Sequence, residues 1–158
     1  MSNMLDIIQK QNVLAVEEAK NEIRSCNSFT ERFGLSLSEQ EIGELVRGRS
    51  EALKSTGLIE FGGGILPKLI YAFCDSPYIE QENYEEILSQ LQEAFYYYKG
   101  EAQDAFSDDE LIEFMVSMFN GRAQGSTEYL IETSLDALYR YARSGFDAQN
   151  ADEAGDMF

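Results

Sequence analysis

The spacing of apolar residues predicts a chain built almost entirely of amphipathic helices. The clearest stripe runs over Asn83–Lys99, where large apolar side chains recur every three or four residues. A looser pattern of the same period predicts a first helix over Asn3–Arg24. The remaining predicted helices, given with their caps, cover Ser38–Gly57, Leu66–Asp75, Ser107–Gly121 and Ser126–Arg143.

Capping residues mark the ends of these helices. Ser38 and Ser107 are each followed three positions later by a glutamate, Glu41 and Glu110, which is the pattern of a capping box. Pro67 suits the first turn of a helix, where its missing N–H is not needed. Glycine favours the left-handed conformation that ends many helices. Glycines therefore predict helix ends at Gly57, Gly100, Gly121 and Gly145.

One connection lacks helical spacing. Apolar and polar residues alternate towards the end of the stretch Ser25–Leu37, which predicts a short strand over Phe33–Leu37, with Leu58–Phe61 as its partner in a two-stranded ribbon. We therefore predict an all-α fold, a compact bundle of five to six helices with at most this ribbon. Residues 1–145 are expected to form a single helical domain. Residues 146–158 carry four acids and no bases, and are expected to form an acidic, disordered tail.

The charge of the chain limits the class of partner. Its 158 residues include 29 acids and 12 bases, a formal net charge of −17. Such a surface repels the phosphates of nucleic acid and anionic membranes. We expect the partner to be another protein, basic or apolar where it binds, or a second copy of the chain in a homodimer. No signal peptide and no membrane-spanning run is recognisable, so a cytoplasmic location is expected.

The absence of histidine narrows the possible chemistry. It removes Ser-His-Asp and Cys-His catalysis as well as histidine metal sites. Cys26 and Cys74 form no CxxC pair and are expected to be buried free thiols. An acidic stripe on the last predicted helix ends in Asp136 and Arg140, which is typical of a solvated face with an ion pair rather than of a metal site. The motifs therefore predict no catalytic residue, no cofactor and no metal.

The most unusual stretch is the glycine segment, defined here as Phe61 to Lys68, in which Gly62, Gly63 and Gly64 stand together. Consecutive glycines allow a sharp bend or a close approach of the backbone to another group. Backbone N–H groups beside the Lys68 ammonium also suit an anion, but the spacing of a phosphate-binding P-loop is absent. Two interpretations stay open: a structural turn that permits tight packing, and a surface for a ligand or partner.

Three consecutive tyrosines extend this candidate surface. Tyr96, Tyr97 and Tyr98 lie on three sides of one predicted helix, so they cannot all face the core. Tyr98 belongs to the buried stripe, and Tyr96 or Tyr97 is expected to be partly exposed, where tyrosine suits protein recognition. A broad buried face is the alternative. With Tyr78 and the glycine segment, Tyr96 and Tyr97 complete the candidate partner or ligand surface.

Four stretches of the chain are specific enough to compare with known families: IEFGGGILPKLIYAFCDSPYI, ENYEEILSQLQEAFYYYK, SDDELIEFM and GSTEYL. Together they resemble a small family of uncharacterised acidic proteins from Gram-positive bacteria. The resemblance spans about Gly34 to Leu138. Members carry only a domain-of-unknown-function label, so the resemblance implies similar size and charge and supplies no activity, cofactor or catalytic residue.

These observations favour a non-enzymatic protein that acts by binding another protein through the glycine segment and the adjoining aromatic surface. The alternative is a small-molecule-binding protein or a carboxylate-based enzyme with its pocket at Gly62–Lys68, since Asp and Glu can serve as acid and base without histidine. A pocket with a buried carboxylate beside the glycines would favour the alternative. An exposed apolar patch there would favour the partner surface.

Overall fold

The computed structural model describes the backbone of residues 2–58, 60, 64–102 and 105–143, and within them the side chains of 7, 10, 13–58, 60, 64–101 and 105–141. This part of the chain forms six helices and contains no strand. The first five are α1 (Ser2–Thr30), α2 (Glu39–Thr56), α3 (Leu66–Phe73), α4 (Tyr84–Ala102) and α5 (Asp108–Asn120). The last, α6, joins an α-helical turn (Thr127–Tyr129), a π-helical segment (Leu130–Leu135) and an α-helical end (Asp136–Arg143).

The predicted all-α bundle is confirmed, and α4 lies at its centre. This helix contacts α2, α3, α5 and α6, and α2 is its most extensive partner. Several aromatic side chains belong to the core, where each removes a large apolar surface from water. The largest fully buried side chains are Tyr84, Tyr96, Phe73, Phe95 and Phe119. No helix in the described part of the chain is long and apolar enough to cross a membrane.

The capping signals at the helix starts are confirmed. The Ser38 hydroxyl accepts a hydrogen bond from the Glu41 N–H at 3.2 Å, and the Glu41 carboxylate accepts one from the Ser38 N–H at 2.9 Å. Ser107 and Glu110 make the same reciprocal pair at the start of α5. Pro67 lies in the first turn of α3. These bonds satisfy backbone donors that a helix start leaves without partners.

The predicted strand and ribbon are wrong. Helix α1 continues to Thr30 because its buried face also extends that far. The side chains of Ala19, Ile23, Cys26 and Thr30 on this face are fully or almost fully buried. A short 3-10 helix, Glu31–Phe33, follows it. The chain is then extended with Leu35 and Leu37 buried, which explains the alternation in the sequence.

Side-chain amides replace the strand partner that this extended stretch lacks. The Asn27 amide accepts from the Leu37 N–H at 2.8 Å and donates to the Leu37 carbonyl at 3.0 Å. The Gln81 amide makes the same pair of bonds with Ser36, at 2.8 and 2.9 Å. Each amide offers one donor and one acceptor, as a neighbouring strand would.

The glycine signals for helix ends have different outcomes. Gly57 caps α2 with a φ of +74°, and Gly121 follows the last residue of α5, as predicted. Gly100 does not end α4, which continues to Ala102. A Cβ atom at Gly100 would lie 3.3 Å from Thr56 Cβ, so the glycine there allows α2 and α4 to approach closely. Gly145 and the predicted tail at 146–158 lie outside the described residues, so the domain boundary stays a prediction.

Candidate functional site

A half-open groove lies between α2 and α4 in the described part of the chain, and it is here called the α2–α4 groove. Its volume is about 710 Å³, within the range of about 300–1,000 Å³ that is usual for ligand sites. One wall is the last half of α2 and the other is the middle of α4, and the π-helical segment contributes one residue. The lining residues are Gly48, Glu51, Ala52, Ser55, Thr56, Ser89, Gln90, Gln92, Glu93, Ala94, Tyr97, Tyr98 and Ile131.

Two neighbouring tyrosines form the aromatic part of the groove. Tyr97 is 53% exposed, and its ring meets the Tyr98 ring edge-on with centroids 4.9 Å apart. Tyr98 is buried, and its hydroxyl donates to the Ile131 carbonyl at 3.1 Å. Ile131 belongs to the π-helical segment, a helical variant often found at functional sites. The segment thus holds Tyr98 in place, and Tyr98 supports the exposed ring of Tyr97.

Gln92 brings an unsatisfied polar atom to the wall of the groove. Its side chain is 2% exposed, and Nε2 donates to the Leu45 carbonyl at 3.0 Å. Oε1 has no hydrogen-bond partner among the described residues. Gly48 lies beside this amide, and a Cβ atom there would make an ordinary contact with Gln92 Nε2 at 3.5 Å. A buried acceptor without a partner costs about 1–3 kcal/mol, so a donor that reached Oε1 would be favoured.

The charged residues of the groove are both acids. Glu51 on α2 and Glu93 on α4 are exposed, and neither forms an ion pair with a described residue. Glu93 precedes Tyr97 by one helical turn, so the carboxylate and the ring share a face of α4. Arg47 and Lys54 are exposed on α2, but neither lines the groove. The groove therefore combines negative charge, an exposed aromatic ring and hydrogen-bond acceptors.

A second polar cluster lies beside the glycine segment and is buried. Arg49 Nε donates a hydrogen bond to Glu60 Oε1 at 3.0 Å, and the Tyr96 hydroxyl donates a hydrogen bond to the same oxygen. The side chains of Arg49 and Glu60 are only 9% and 17% exposed. Gly64 packs against this pair at a φ of +61°, and a Cβ atom there would lie 1.9 Å from Glu60 Oε1. Gly64 is thus part of a structural turn that closes over a buried ion pair.

The expectation of an exposed surface is corrected at Tyr96, which is 0% exposed. Burial raises the pKa of its phenol, and the hydrogen bond to Glu60 raises it further, so the hydroxyl remains a donor. Tyr97 is the exposed member of the pair, as predicted for one of the two. Tyr98 is buried, also as predicted. The broad buried face of α4 thus includes Tyr96, because α2 and Glu60 cover this side of the helix.

Among the other predicted site residues, the two that the structure describes outside the Gly64 cluster, Lys68 and Tyr78, contact different elements. Lys68 donates to Asp109 at 2.9 Å, and this hydrogen bond raises the pKa of the Lys68 ammonium. The ammonium therefore binds a carboxylate in the first turn of α5 rather than an anion beside Gly64. Tyr78 is 37% exposed and packs edge-on against Phe119, 6.3 Å between centroids. Phe61, Gly62 and Gly63 lie outside the described residues.

The cysteines and the acidic stripe behave as predicted. Cys26 and Cys74 are buried free thiols. Burial raises the pKa of each, and at Cys74 the neighbouring Asp75 carboxylate raises it further. Asp136 and Arg140 form an ion pair at 2.8 Å. Within the described residues, no group of three or more acids and cysteines is arranged to hold a metal ion.

Sequence reasoning missed the α2–α4 groove as a site. The available signal was a row of small residues on one face of α2, Gly48, Ala52, Ser55 and Thr56, which leaves space beside a neighbouring helix. Such a row looks the same in a sequence whether a neighbour fills the space or leaves it open. The pairing of α2 with α4 decides which, and the residue spacing within each helix does not reveal that pairing.

Comparison with known proteins identifies the family. The chain belongs to a family of unknown function, DUF6323, which matches residues 22–148. Searches of curated proteins and of solved structures found no match to the chain. The family match covers both walls of the groove, the Arg49–Glu60–Tyr96 cluster and most of the six helices.

Proposed function

We propose that the protein is a non-enzymatic interaction module, acting in the cytoplasm, whose binding site for another protein is the α2–α4 groove. The groove itself carries the proposal: a half-open cavity of about 710 Å³ with a half-exposed tyrosine at one wall. Tyrosine gives a large contact area at low entropic cost and is common among residues that dominate binding energy. Tyr97 is therefore the expected anchor of the complex.

The shape of the groove favours a segment of polypeptide over an enclosed small molecule. Its α2 wall extends from Gly48 to Thr56 and its α4 wall from Ser89 to Tyr98. At 1.5 Å per residue each wall is roughly 12–14 Å long, about two helical turns. A half-open groove of that length admits a short helical or extended segment whose ends continue into solvent.

The alternative function at the glycine segment has less support. Glu60 is the buried carboxylate that such a pocket needs, but Arg49 and Tyr96 already share one of its oxygens. Arg49 is itself buried, so losing this pair would leave an uncompensated charge. The cluster is therefore better suited to holding the turn at Gly64 than to moving protons.

Affinity capture from the native cells, with each captured protein identified by mass spectrometry, tests the proposal. Tyr97→Ala is compared with Tyr71→Ala. Tyr71 is a matched control because it is 48% exposed and does not line the groove; its ring meets Phe29 edge-on at 5.3 Å, and its hydroxyl forms a hydrogen bond with Cys26. We expect one stoichiometric partner that Tyr97→Ala loses and Tyr71→Ala retains, since truncating a dominant interface tyrosine costs about 2 kcal/mol or more.

Two results would contradict the proposal. One is the absence of any stoichiometric partner of the wild-type protein. The other is loss of the partner in Tyr71→Ala with retention in Tyr97→Ala, which would move the binding surface to the exposed aromatic patch of Phe29, Phe33 and Tyr71. Circular dichroism and urea unfolding of both variants establish that a lost partner does not reflect a lost fold.

A further inference from the structure

We infer that the partner presents a basic segment to the α2–α4 groove, with a lysine or arginine side chain between Glu51 and Glu93. This inference rests on the proposed function and adds the chemistry of the partner. Some acids have a basic partner, as Glu39 has Arg24 at 2.6 Å and Asp109 has Lys68 at 2.9 Å, while other exposed acids such as Glu31 and Glu113 form no ion pair with a described residue. Glu51 and Glu93 likewise have no basic partner among the described residues.

The buried amide of Gln92 has an acceptor that a hydrogen-bond donor would satisfy. Its Oε1 is an acceptor without a partner, and Gln92 lines the groove. Lysine and arginine side chains carry only donors, three and five N–H bonds respectively, and accept none. A cation in the groove therefore gives a charged partner to the two carboxylates, which an acidic or apolar side chain cannot do, and it supplies a donor to the buried Oε1 only where the Gln92 amide turns towards the groove.

The exposed ring adds a third favourable contact. Tyr97 follows Glu93 by one turn on α4 and is half exposed. A cation over the face of a tyrosine ring is attracted by the negative face of the aromatic ring. The chain itself uses this arrangement elsewhere, since the Arg32 guanidinium lies 4.2 Å from the centroid of Phe29.

The same charges argue against a second copy of this chain in the groove. At −17 the chain repels itself, and an acidic helix in the groove would place like charges against Glu51 and Glu93. A homodimer through this groove is therefore disfavoured, and a basic segment of a different protein is the occupant we propose.

Defined peptides test the inference by NMR of the full-length, ¹⁵N-labelled protein. The probes are three capped alanine-based peptides of about 12 residues, roughly three helical turns. They differ only at two positions one turn apart, which hold two lysines, two glutamines or two glutamates. We expect the lysine peptide alone to shift the backbone amide signals of groove residues such as Gly48, Ser55 and Ser89.

Charge-matched variants separate the groove from the general field of an acidic protein. Glu51→Gln/Glu93→Gln removes the carboxylates of the groove. Glu31→Gln/Glu113→Gln removes two exposed acids that do not line it. We expect the first pair to weaken lysine-peptide binding about fivefold to tenfold and the second less than about twofold, because each exposed charge pair adds only a few-fold to affinity and charges outside the groove are screened by solvent.

Three results would overturn the inference: equal weakening by both variant pairs, equal binding of the glutamine peptide, or no groove shifts with any peptide. The proposed function has a separate test. If the partner captured through Tyr97 still binds Glu51→Gln/Glu93→Gln at wild-type strength, the basic segment is wrong and the interaction module stands. If no partner depends on Tyr97, both are wrong.

Discussion

Two buried hydroxyl groups on α4 show how the hydrogen-bond partners of a single atom determine its contribution to the free energy of unfolding. Tyr84 and Tyr96 are both fully buried, one near the start of the helix and one in its second half. The Tyr96 hydroxyl donates to Glu60, while the Tyr84 hydroxyl lies beside Thr30 without a hydrogen bond of acceptable geometry. The two residues therefore offer a matched comparison in one helix.

We expect Tyr96→Phe to lower the free energy of unfolding by about 1.5–3 kcal/mol, because it removes a hydrogen bond to a charged group. Tyr84→Phe should not lower it, and should raise it by up to about 1–3 kcal/mol, because it removes a buried hydroxyl that has no hydrogen-bond partner among the described residues. Urea unfolding at neutral pH measures both. Equal effects of the two substitutions would contradict the role given to Glu60.

The raised pKa of Tyr96 adds a test with a defined sign. The phenol stays protonated in the folded protein at a pH where the unfolded chain, with an ordinary tyrosine pKa of 10.0, has lost its proton. Stability from this group is therefore present below that pH and falls above it. The advantage of the wild type over Tyr96→Phe should shrink as the pH rises above 10.0. An advantage that grows with pH would contradict this account.

Gly64 is the residue of the glycine segment with a defined structural requirement. Its φ of +61° is costly for other residues by about 1–2 kcal/mol, and an added Cβ atom would push Glu60 away from Arg49 and Tyr96. Gly64→Ala should therefore destabilise the protein by at least that amount. Gly43→Ala is the control, since Gly43 lies inside α2 with no atom within 4 Å of an added Cβ.

Alanine is a better helix former than glycine, so Gly43→Ala should stabilise the protein by about 0.5–1 kcal/mol. The midpoint of urea unfolding should move in opposite directions for the two variants. A neutral Gly64→Ala would show that the cluster does not depend on the turn at this glycine.

At the scale of helices, the sequence predicts where a helix starts better than it predicts where a helix ends. Ser38 and Ser107 cap their helices through contacts three residues away, which a sequence displays directly. The end of α1 and the continuation of α4 through Gly100 depend on contacts with distant elements. Thr56 lies against Gly100, and Asn27 supports the extended stretch at Leu37, neither of which the local pattern reveals.

The candidate site shows the same limit. The sequence correctly predicted that one of Tyr96 and Tyr97 is exposed, because consecutive helical residues lie on different sides. It could not predict which one, since that depends on α2 and Glu60 covering Tyr96. The groove depends on how α2 pairs with α4, which is a property of two helices together.

The pairing of α2 and α4 also brings acids together. Glu85 on α4 has a raised pKa, first because of burial and then because of Glu44 and Glu41 on α2 and Glu86 on its own helix. A raised pKa means that folding opposes the ionised form of this carboxyl. The penalty is present at neutral pH and disappears below the ordinary glutamate pKa of 4.5.

Glu85→Gln should therefore raise the free energy of unfolding at pH 7. The gain should fade as the pH drops towards 4.5, because the wild-type carboxyl then becomes protonated. Thermal unfolding at several pH values measures this difference, and Glu113→Gln, an exposed acid on α5, is the control. A gain that is constant with pH, or equal in the control, would contradict the account.

At the scale of the whole molecule, net charge and topology are the basis for the class of partner that we propose. A charge of −17 disfavours phosphate-bearing partners and self-association, while the bundle leaves a half-open acidic groove beside its central helix. The N-terminal half of α1 also exposes apolar residues, Ile7, Val13 and Leu14. The family match begins at residue 22, after this exposed half, and includes the groove.

The most direct test of the account is site-specific photo-crosslinking in the native cells, with a benzophenone amino acid in place of Tyr97 or, as the control, of Tyr71. The account predicts that position 97 crosslinks to one segment of one protein, that this segment is rich in lysine or arginine, and that position 71 does not crosslink to it. Crosslinks to that partner from position 71 alone, or no defined product from position 97, would contradict the central claim that the α2–α4 groove binds another protein.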